Sequence, residues 1–494
     1  MSKALVCTCE DVTVEDFEAA FAKGYCDIES VKRYTGFGTG ICQGKSCLAS
    51  AARLIESRAG LTPRQINPIT PRPPFVPTEL RHLASLPIDE ASPPGPGIPP
   101  PRNLPSNPMR PEEPVPSRAD VVIIGGGIQG LSLAYNLALR GVNDVVVLER
   151  SYLGAGASGR NGGGIRMQWS TRTNVELARR SIELCKRFAR DLGVNIWFRA
   201  GGYLFLAPTA EHAKRLERNA KLHNSLGVPT EVITADAARD IVPELDVKGI
   251  AAAAFNPDDG VLFPWPFMWG YASKAAKLGV RVEPFTRVTG FKLGRGRIDA
   301  VETDRGNIAC GRVVNASGAW SPEVAKLAGV SLPNEPHRHE ICVTEPLKPF
   351  LGPLVSVLGN GLYFSQSMRG EIIGGMGDPL EPAGLEQGAT LRFLARYGRA
   401  LLSTMPVLGD VKVVRQWAGC YDVTPDNAPV LGETPGLPNF LQVNGFVGHG
   451  FMMAPAVAER MAAWMCGEQD ELFTRFNLSR FAEGRLEKED FIIG

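Results

Sequence analysis

Residues 120–150 read DVVIIGGGIQGLSLAYNLALRGVNDVVVLER, and this stretch determines the fold of most of the chain. It opens with an apolar run suited to a strand, Asp120–Ile124, and passes through closely spaced glycines into a helical run, Leu131–Leu139. A second apolar strand, Val145–Leu148, follows. A strand, a helix and a strand within about 30 residues form the βαβ unit of a parallel sheet. The sequence therefore predicts a doubly wound α/β domain that begins near residue 119.

The glycines between the first strand and the helix form the pattern G-x-G-x-x-G, at Gly125, Gly127 and Gly130. The first glycine permits a tight turn, and the second lets backbone N–H groups approach a pyrophosphate at the helix N-terminus. Glu149 closes the next strand, where its carboxylate can accept both hydroxyls of an adenosine ribose. This context predicts a dinucleotide site, and the alternative is an ordinary glycine turn of an α/β protein.

FAD and NAD share this pattern, and three further segments favour FAD. Residues 153–164, LGAGASGRNGGG, are rich enough in glycine for backbone to lie against a flat or extended ligand. Residues 315–320, NASGAW, follow another apolar strand. Residues 445–451, GFVGHGF, precede the last long helix, whose N-terminus is suited to the electron-rich edge of a reduced flavin.

These motifs together carry a resemblance to a known family. In the order 125–130, 158–163, 316–320, 424–429 and 448–451, they resemble the D-amino-acid-oxidase-like FAD family, over roughly residues 119–475. Trp417–Asp422 and Asn161–Trp169 are most similar to the beta subunits of sarcosine oxidase, opine oxidase and hydrogen cyanide synthase. The resemblance implies a doubly wound FAD-binding domain with a mostly antiparallel substrate domain. The FAD-binding parts are expected at roughly 119–200, 255–330 and 410–475, and the substrate domain at roughly 200–255 and 330–410.

The resemblance also implies which residues contact FAD. They come from the glycine motif, the following loops and the turn before the last long helix: Gly125, Gly127, Ile128, Gln129, Gly130, Glu149, Arg150, Ser158, Arg160, Asn161, Gly162, Gly163, Val288, Ala316, Gly318, Gly448, His449, Gly450, Phe451 and Met452.

The family removes hydride from a carbon beside an amine nitrogen and forms an imine, so the resemblance also implies catalytic candidates. Arg166 aligns with a family arginine that binds the substrate carboxylate, although a lone arginine is usually a surface charge. Tyr363 is expected to hydrogen-bond substrate or to pack in the core. His449 is expected to touch flavin or substrate or to be structural. The polar segment His337–His339 is a further candidate lining of the cavity.

The chain departs from the family at several functional positions. Met452 stands where monomeric sarcosine oxidases carry a lysine, and the strand Glu371–Gly375 lacks their second lysine. Their covalent flavin cysteine would fall at Gly419, beside Cys420, and the histidine that holds covalent FMN in heterotetrameric enzymes would fall near Pro264. These departures predict noncovalent FAD, a dehydrogenase rather than an efficient oxidase, and a substrate other than plain sarcosine.

Five of the ten cysteines lie within the first 47 residues, four of them in the pairs Cys7-x-Cys9 and Cys42-x₄-Cys47. Four thiolates from two short loops can hold a [2Fe–2S] cluster, and the alternatives are zinc, for which C-x-C is unusual, and free thiols. Cys26 is expected to be an ordinary buried thiol. Residues 1–60 resemble the bacterioferritin-associated-ferredoxin-like [2Fe–2S] module, whose simplest members close with C-x-x-C.

Residues 61–118 hold eighteen of the 39 prolines, which predicts a semi-rigid extended linker without helix or central strand. Within it, Phe75–Pro77 and Leu80–Leu86 are apolar enough to dock on a surface. The predicted organisation is therefore a cluster domain (1–60), a proline-rich linker (61–118) and an FAD-dependent oxidoreductase (119–494).

Composition excludes some classes of function. Lys+Arg is 53 and Asp+Glu is 52, so no charge excess favours nucleic acid. No apolar run approaches the roughly 20 residues of a membrane helix, and the N-terminus lacks the pattern of a secretion signal. A cytoplasmic location is expected.

The leading hypothesis is an FAD-dependent dehydrogenase or oxidase of a secondary amine, imino acid or opine that passes electrons through the cluster. An FAD-containing alpha subunit is a possible partner, and the electron acceptor is left open. One alternative is a glycerol-3-phosphate-type FAD dehydrogenase. Another is a non-catalytic electron-transfer or redox-sensing subunit.

Overall fold

The structure is a computed structural model, and it describes residues 4–60, 66, 69, 72–97, 114–489 and 491–492. The N-terminal part, here called the cysteine domain (residues 4–60), is small and mostly helical. Its elements are β1 (Leu5–Cys7), β2 (Val12–Thr13), α1 (Val14–Phe21), α2 (Ile28–Thr35) and α3 (Leu48–Ala59). The Asp27 carboxylate caps α2 by accepting from Ser30 N at 2.9 Å, and Gly36 ends the helix with a φ of 84°.

Part of the proline-rich segment is folded onto the main body of the chain. It contains β3 (Thr78–Glu79) and α4 (Leu80–Ala84). β3 extends the edge of a large sheet, and Leu80 and Leu83 are buried in the core. The prediction that this segment forms no helix was wrong for α4, because residues 78–86 lie between Pro77 and Pro87 and contain no proline.

The described main body consists of two large sheets and one small two-stranded sheet, with helices around them. Its strands are β4 (Arg118–Ile124), β5 (Val145–Leu148), β6 (Gly164–Ile165), β7 (Tyr203–Ala207), β8 (Glu231–Ile233), β9 (Ala252–Asn256), β10 (Gly260–Val261), β11 (Arg281–Glu283), β12 (Val288–Gly294), β13 (Arg297–Thr303), β14 (Gly306–Asn315), β15 (Glu335–Pro346), β16 (Leu354–Val357), β17 (Tyr363–Gln366), β18 (Glu371–Met376), β19 (Lys412–Val423), β20 (Val430–Thr434) and β21 (Leu437–Asn444). Its helices are α5 (Ile128–Leu139), α6 (Arg172–Leu192), α7 (Ala210–Ser225), α8 (Ala235–Ile241), α9 (Pro264–Lys277), α10 (Ser321–Leu327), α11 (Leu391–Thr404), α12 (Gly450–Met465) and α13 (Leu472–Arg475).

The first sheet has the order β11-β5-β4-β14-β13-β12, with β21 joined to β14 and β20 joined to β21. Its centre is parallel, because β4 pairs in parallel with both β5 and β14, and β14 pairs in parallel with β21. One hydrophobic core, which includes residues of α5, α6, α9 and α12, covers one face of the sheet, and a second core, with residues of β12, β13 and α10, covers the other. This is the doubly wound arrangement that the sequence predicts.

The second sheet has the order β3-β19-β15-β18-β17-β16-β7-β9-β8 and is antiparallel except between β16 and β7. The predicted fold class is confirmed. One expected boundary differs: residues 410–423 were assigned to the FAD-binding part, but β19 is hydrogen-bonded along most of its length to β15 of the second sheet. No helix in the described part of the chain is long and apolar enough to cross a membrane.

Candidate active site

A cavity of about 590 Å³ lies where the carboxyl ends of β4, β5 and β14 meet the second sheet. At its glycine-rich end there is no room for side chains. A Cβ on Gly125 would lie 2.3 Å from the Ala316 carbonyl oxygen, and one on Gly130 would lie 2.1 Å from the Gly125 carbonyl oxygen. Because α5 begins at Ile128, earlier than predicted, Gly130 lies in its first turn, and the helix N-terminus is directed at the cavity.

Two backbone N–H groups hold the carboxylate of Glu149, the predicted ribose acceptor. Its carboxylate lines the cavity and accepts from Gly126 N at 3.0 Å and Ser151 N at 2.8 Å. Burial raises the pKa of Glu149 above its ordinary value. Nearby, the Arg150 guanidinium lies over the Trp320 ring, 4.4 Å from its centroid.

The loop that follows Glu149 is braced by its own side chains. The Asn161 amide accepts from Gly163 N at 2.7 Å and donates to the Ser158 carbonyl at 2.6 Å. The Arg160 guanidinium donates to two backbone carbonyls, of Ala155 at 2.9 Å and of Ala418 at 3.0 Å. These bonds hold an extended backbone along the cavity, between the glycine motif and the second sheet.

Three rings from three strands of the second sheet form a stack at the opposite end of the cavity, here called the inner end. His339 on β15 stacks on Tyr421 of β19 at a centroid distance of 4.5 Å and on Tyr363 of β17 at 5.7 Å. The His339 ring nitrogen Nε2 lies 2.9 Å from the Tyr363 hydroxyl. Burial lowers the pKa of His339 to about 4 and raises those of both tyrosines. At neutral pH the stack is therefore uncharged.

The turn before α12 closes the inner end. The Asp422 carboxylate accepts from Gly445 N at 2.6 Å, and burial raises the pKa of Asp422 to about 6. Gly448 packs flat on Tyr421, since a Cβ there would lie 2.3 Å from the tyrosine ring. The free face of Tyr421 is thus covered by backbone.

Two of the three catalytic candidates do not line the cavity. Arg166 is fully buried, lies 4.0 Å from the centroid of the Trp169 ring and donates to the Phe491 carbonyl at 2.7 Å. His449 packs edge-on against Trp169, at a centroid distance of 4.9 Å, and burial lowers its pKa well below the ordinary value. Both lie behind the cavity wall, whereas Tyr363 lines the cavity. The carboxylate-binding role of Arg166 stays a prediction.

Most residues assigned to FAD line the cavity. They are Gly125, Gly127, Ile128, Gln129, Glu149, Arg150, Ser158, Arg160, Asn161, Val288, Ala316, Gly318, Gly448, Gly450 and Phe451. The others, Gly130, Gly162, Gly163, His449 and Met452, lie outside the lining. Tyr152, Gln387 and Tyr421 line the cavity without having been assigned a role. Tyr421 belongs to the motif Trp417–Asp422 and was detectable there, whereas no sequence signal identifies Gln387.

Cys420, next to the position of the family's covalent flavin cysteine, is a protonated thiol. Its sulfur donates to the Glu386 carbonyl at 3.3 Å, and burial raises its pKa to about 12. A thiol in this state is a poor nucleophile.

A second cavity, of about 340 Å³, lies between the cysteine domain and the main body. Pro264 lines it, together with six cationic side chains: Lys32, Arg33, Lys45, Arg72, Arg369 and Arg415. No histidine is among its described lining residues.

The four clustered cysteines lie in two pairs, Cys9 beside Cys42 and Cys7 beside Cys47. Burial and the neighbouring Cys7 raise the pKa of Cys47 to about 12. In the described residues no three His, Cys, Asp or Glu side chains are arranged as a metal site. Cys26 lies apart from these pairs and is half-buried.

Comparison with known proteins identifies the main body. Residues 120–464 match the family model described as FAD dependent oxidoreductase. The chain belongs to this family. It is therefore an FAD-dependent oxidoreductase, and the predicted FAD cofactor is supported. Residues 1–86 match the Sarcosine oxidase A3 domain, so their assignment to the bacterioferritin-associated-ferredoxin-like module is not confirmed.

Several relatives cover most of the chain. Sarcosine oxidase subunit beta of Rhodobacter capsulatus is 31% identical over 76% of this chain and 92% of its own length. FAD-dependent oxidoreductase domain-containing protein 1 of Xenopus laevis is 31% identical, over 78% and 86%. Among solved structures, L-proline dehydrogenase from P. horikoshii is 36% identical with a TM-score of 0.72, covering 76% of this chain and all of that one.

Proposed function

We propose that this oxidoreductase is a dehydrogenase that oxidises the C–N bond of a small secondary amine or imino acid to an imine. The observation that carries the proposal is the uncharged stack of Tyr363, His339 and Tyr421 at the inner end of the FAD cavity. Names of relatives agree with it, since they include sarcosine oxidase, L-proline dehydrogenase and dimethylglycine dehydrogenase.

The stack favours the reactive form of an amine. Hydride leaves readily from the carbon beside a nitrogen only when that nitrogen has its lone pair, so the ammonium form must lose a proton. Burial disfavours a charged group by as much as 3–5 pKa units, and the Asp422 carboxylate at this end already accepts from the Gly445 N–H. A cation over an open aromatic face would regain about 0.5–2 kcal/mol. However, His339 is stacked on both tyrosines, and Gly448 covers the remaining face of Tyr421. Desolvation therefore dominates, and the neutral amine binds.

When bound, FAD supplies the hydride acceptor. The chain's own residues orient the substrate: the hydroxyls of Tyr363 and Tyr421 and the side chain of Gln387 are polar groups of residues that line the cavity. Residues 445–450 hold the α12 N-terminus toward the same end, where it favours negative charge.

Two observations support a noncovalent flavin and a dehydrogenase. The Cys420 thiol is protonated and bonded to the Glu386 carbonyl. No lysine is among the described side chains that line the FAD cavity. The protonated thiol is expected for a noncovalent flavin, and a lining without lysine is expected if oxygen is not the main acceptor.

We also propose that Cys7, Cys9, Cys42 and Cys47, which come from two short segments of the cysteine domain, hold a [2Fe–2S] cluster. The two thiol pairs are neighbours, since the pKa of Cys47 responds to Cys42 as well as to Cys7. The backbone of Ser46 and of Gly44 contributes to lowering the pKa of Cys42, which favours the thiolate form that a metal binds. A metal binds the thiolate form of cysteine, so metal binding would remove the thiol protons. A cluster held there would supply one-electron transfer.

We also propose that the protein works in a hetero-oligomer, since relatives are named as beta subunits. The match of residues 1–86 to the Sarcosine oxidase A3 domain also relates this chain to such enzymes.

The test of amine oxidation is anaerobic reduction of the flavin by a panel of proline, hydroxyprolines, sarcosine, octopine and nopaline, with glycerol 3-phosphate as comparison. We expect one of the amines to bleach the flavin band. Bleaching by glycerol 3-phosphate alone would replace the amine with an alcohol. Failure of every compound, together with restored turnover when a partner subunit is added, would make this chain an electron-transfer subunit.

The cluster is tested separately by iron and sulfide analysis of Cys42→Ser and of a matched control, Cys26→Ser. We expect the first to lose the cluster and keep FAD, and the second to keep both. Zinc in place of iron in the wild type, purified without oxygen, would contradict the cluster assignment.

A further inference from the structure

Arg33 is the cysteine domain's contact with the wall of the FAD cavity. Its side chain is 5% exposed and forms an ion pair with Glu29 at 2.9 Å. The guanidinium lies between the rings of Tyr152 and Trp265, 4.6 Å from each centroid, and donates to the Tyr152 hydroxyl at 2.6 Å. Stacking on both faces, with a hydrogen bond at the edge, fixes a planar cation in one position.

Tyr152 belongs to the loop that forms the cavity wall. It lines the FAD cavity three residues after Glu149, and Ser151 between them donates to the Glu149 carboxylate at 2.8 Å. Trp265 presses on the same loop, because a Cβ on Gly159 would lie 2.2 Å from its ring. The loop is thus held between the cavity on one side and the Arg33–Trp265 contact on the other.

Two other contacts between described residues of the cysteine domain and the main body lie away from the cavity wall. Trp269 packs against Tyr25 and Tyr34 at 5.4 Å from each. Arg369 pairs with Glu10 and donates to the Thr39 hydroxyl at 3.4 Å. Neither Trp269 nor Arg369 lines the FAD cavity. They attach the domain, but have no direct contact with the FAD site.

We propose that Arg33 is a positioning residue that couples docking of the cysteine domain to FAD binding. FAD bound in the cavity holds Tyr152 in place. In that position Tyr152 supplies the aromatic ring over which Arg33 lies and the hydroxyl to which Arg33 donates. The coupling is reciprocal, so the docked domain strengthens FAD binding by the same factor. The chain thereby assembles its two redox sites together. This inference concerns cofactor binding and holds whatever substrate is oxidised.

The test uses Arg33→Met, which keeps length and removes the planar charge, while Glu29 keeps its pairing with Lys32 at 2.6 Å. Titration of the full-length apoprotein with FAD should give a dissociation constant about tenfold higher than the wild type, within the usual range of coupling between sites. Arg369→Met, which loses a docking contact remote from the cavity wall, should change the constant by less than about twofold. Equal effects of the two variants would overturn the proposal.

Hydrogen exchange distinguishes coupling from simple loss of structure. In the wild type, FAD should slow exchange in α2, and in Arg33→Met this slowing should be lost while α1 and α3 exchange as before. If α1 and α3 also lose protection, Arg33→Met has unfolded the cysteine domain. The proposal is then tested with Tyr152→Phe. Tyr152→Phe keeps the ring, so it should weaken FAD binding less, and FAD should slow α2 less than in the wild type. FAD-dependent protection of α2 that is unchanged in Tyr152→Phe would overturn the proposal.

Discussion

The two ends of the FAD cavity are built from different parts of the chain. The glycine-rich end comes from one continuous stretch, residues 120–163, with Ala316 against it, and its surface is largely backbone. The inner end is made of side chains from β15, β17 and β19, at positions 339, 363 and 421, with the backbone of Gly448 behind them. At the glycine-rich end, a side chain added to Gly125 or Gly130 would clash with neighbouring backbone, whereas the inner end depends on the identity of three rings. We therefore expect changes at the first end to remove FAD and changes at the second to slow the reaction of bound FAD.

Gly130→Val should have the largest effect. A Cβ there would lie 2.1 Å from the Gly125 carbonyl oxygen and 3.2 Å from Ile123, so the helix must move away from the glycine turn. A shift of this kind costs at least about 2 kcal/mol, which corresponds to FAD binding about 30-fold weaker. The ratio of flavin absorbance to protein in the purified variant measures the loss.

The matched control is Gly384→Ala, because a Cβ at Gly384 meets no atom within 4 Å and its φ is not in the left-handed region. It should retain FAD like the wild type. Full flavin content in Gly130→Val would show that the glycine-rich end adapts to side chains.

His339→Asn should separate the two ends. It removes the central ring of the stack while leaving the glycine-rich end untouched, so FAD should stay bound. Loss of a substrate-orienting wall costs about 100-fold in rate, measured as the rate of anaerobic flavin reduction by the best amine of the panel.

His337→Asn is the control for this change, since His337 lies two residues away on the same strand but outside the cavity lining, where its ring nitrogen meets the Glu381 carbonyl at 3.3 Å. The control should reduce its flavin at close to the wild-type rate. Equal slowing of flavin reduction in both variants would show that the rate depends on β15 in general and not on the stack of rings.

This difference between the ends also explains how far the sequence could predict the molecule. The FAD end depends on local steric requirements: Gly125, Gly130 and Glu149 have to be near one another because they lie in one βαβ unit. The inner end depends on the register of β15 against β19, which places His339 opposite Gly419 and Arg338 opposite Cys420. A shift of one residue would turn His339 away from the cavity, and no single-sequence pattern fixes that register.

Arg166 is another residue whose surroundings in the fold could not be predicted from the sequence. Its position after the glycine loop suggested the substrate site, but burial places it over Trp169, behind the wall. We expect Arg166→Met to lower the free energy of unfolding by about 2 kcal/mol, because a buried hydrogen bond to the Phe491 carbonyl is lost. Thermal melting measures this, and the KM for the amine should change little. A large rise in KM at an unchanged melting temperature would support the predicted role of Arg166 in binding the substrate carboxylate.

The smallest expected effect is the pH dependence of the inner end. Burial lowers the pKa of His339 to about 4, below the ordinary value of about 6.5, so the folded protein binds fewer protons there than the unfolded chain. Its contribution to stability is then present above about pH 6.5 and is lost as the pH falls toward 4. The dissociation constant of a carboxylate inhibitor that does not titrate in this range should change near pH 6.5 equally in the wild type and in His339→Asn, because Asp422, with a pKa of about 6, titrates in both. Acidification should destabilise the wild type more than His339→Asn, and since Asp422 is present in both proteins, the difference between them isolates the histidine. A transition near pH 6.5 that disappears in His339→Asn would show that the ring is charged in the neutral range, and the neutral stack would no longer explain the selection of an uncharged amine.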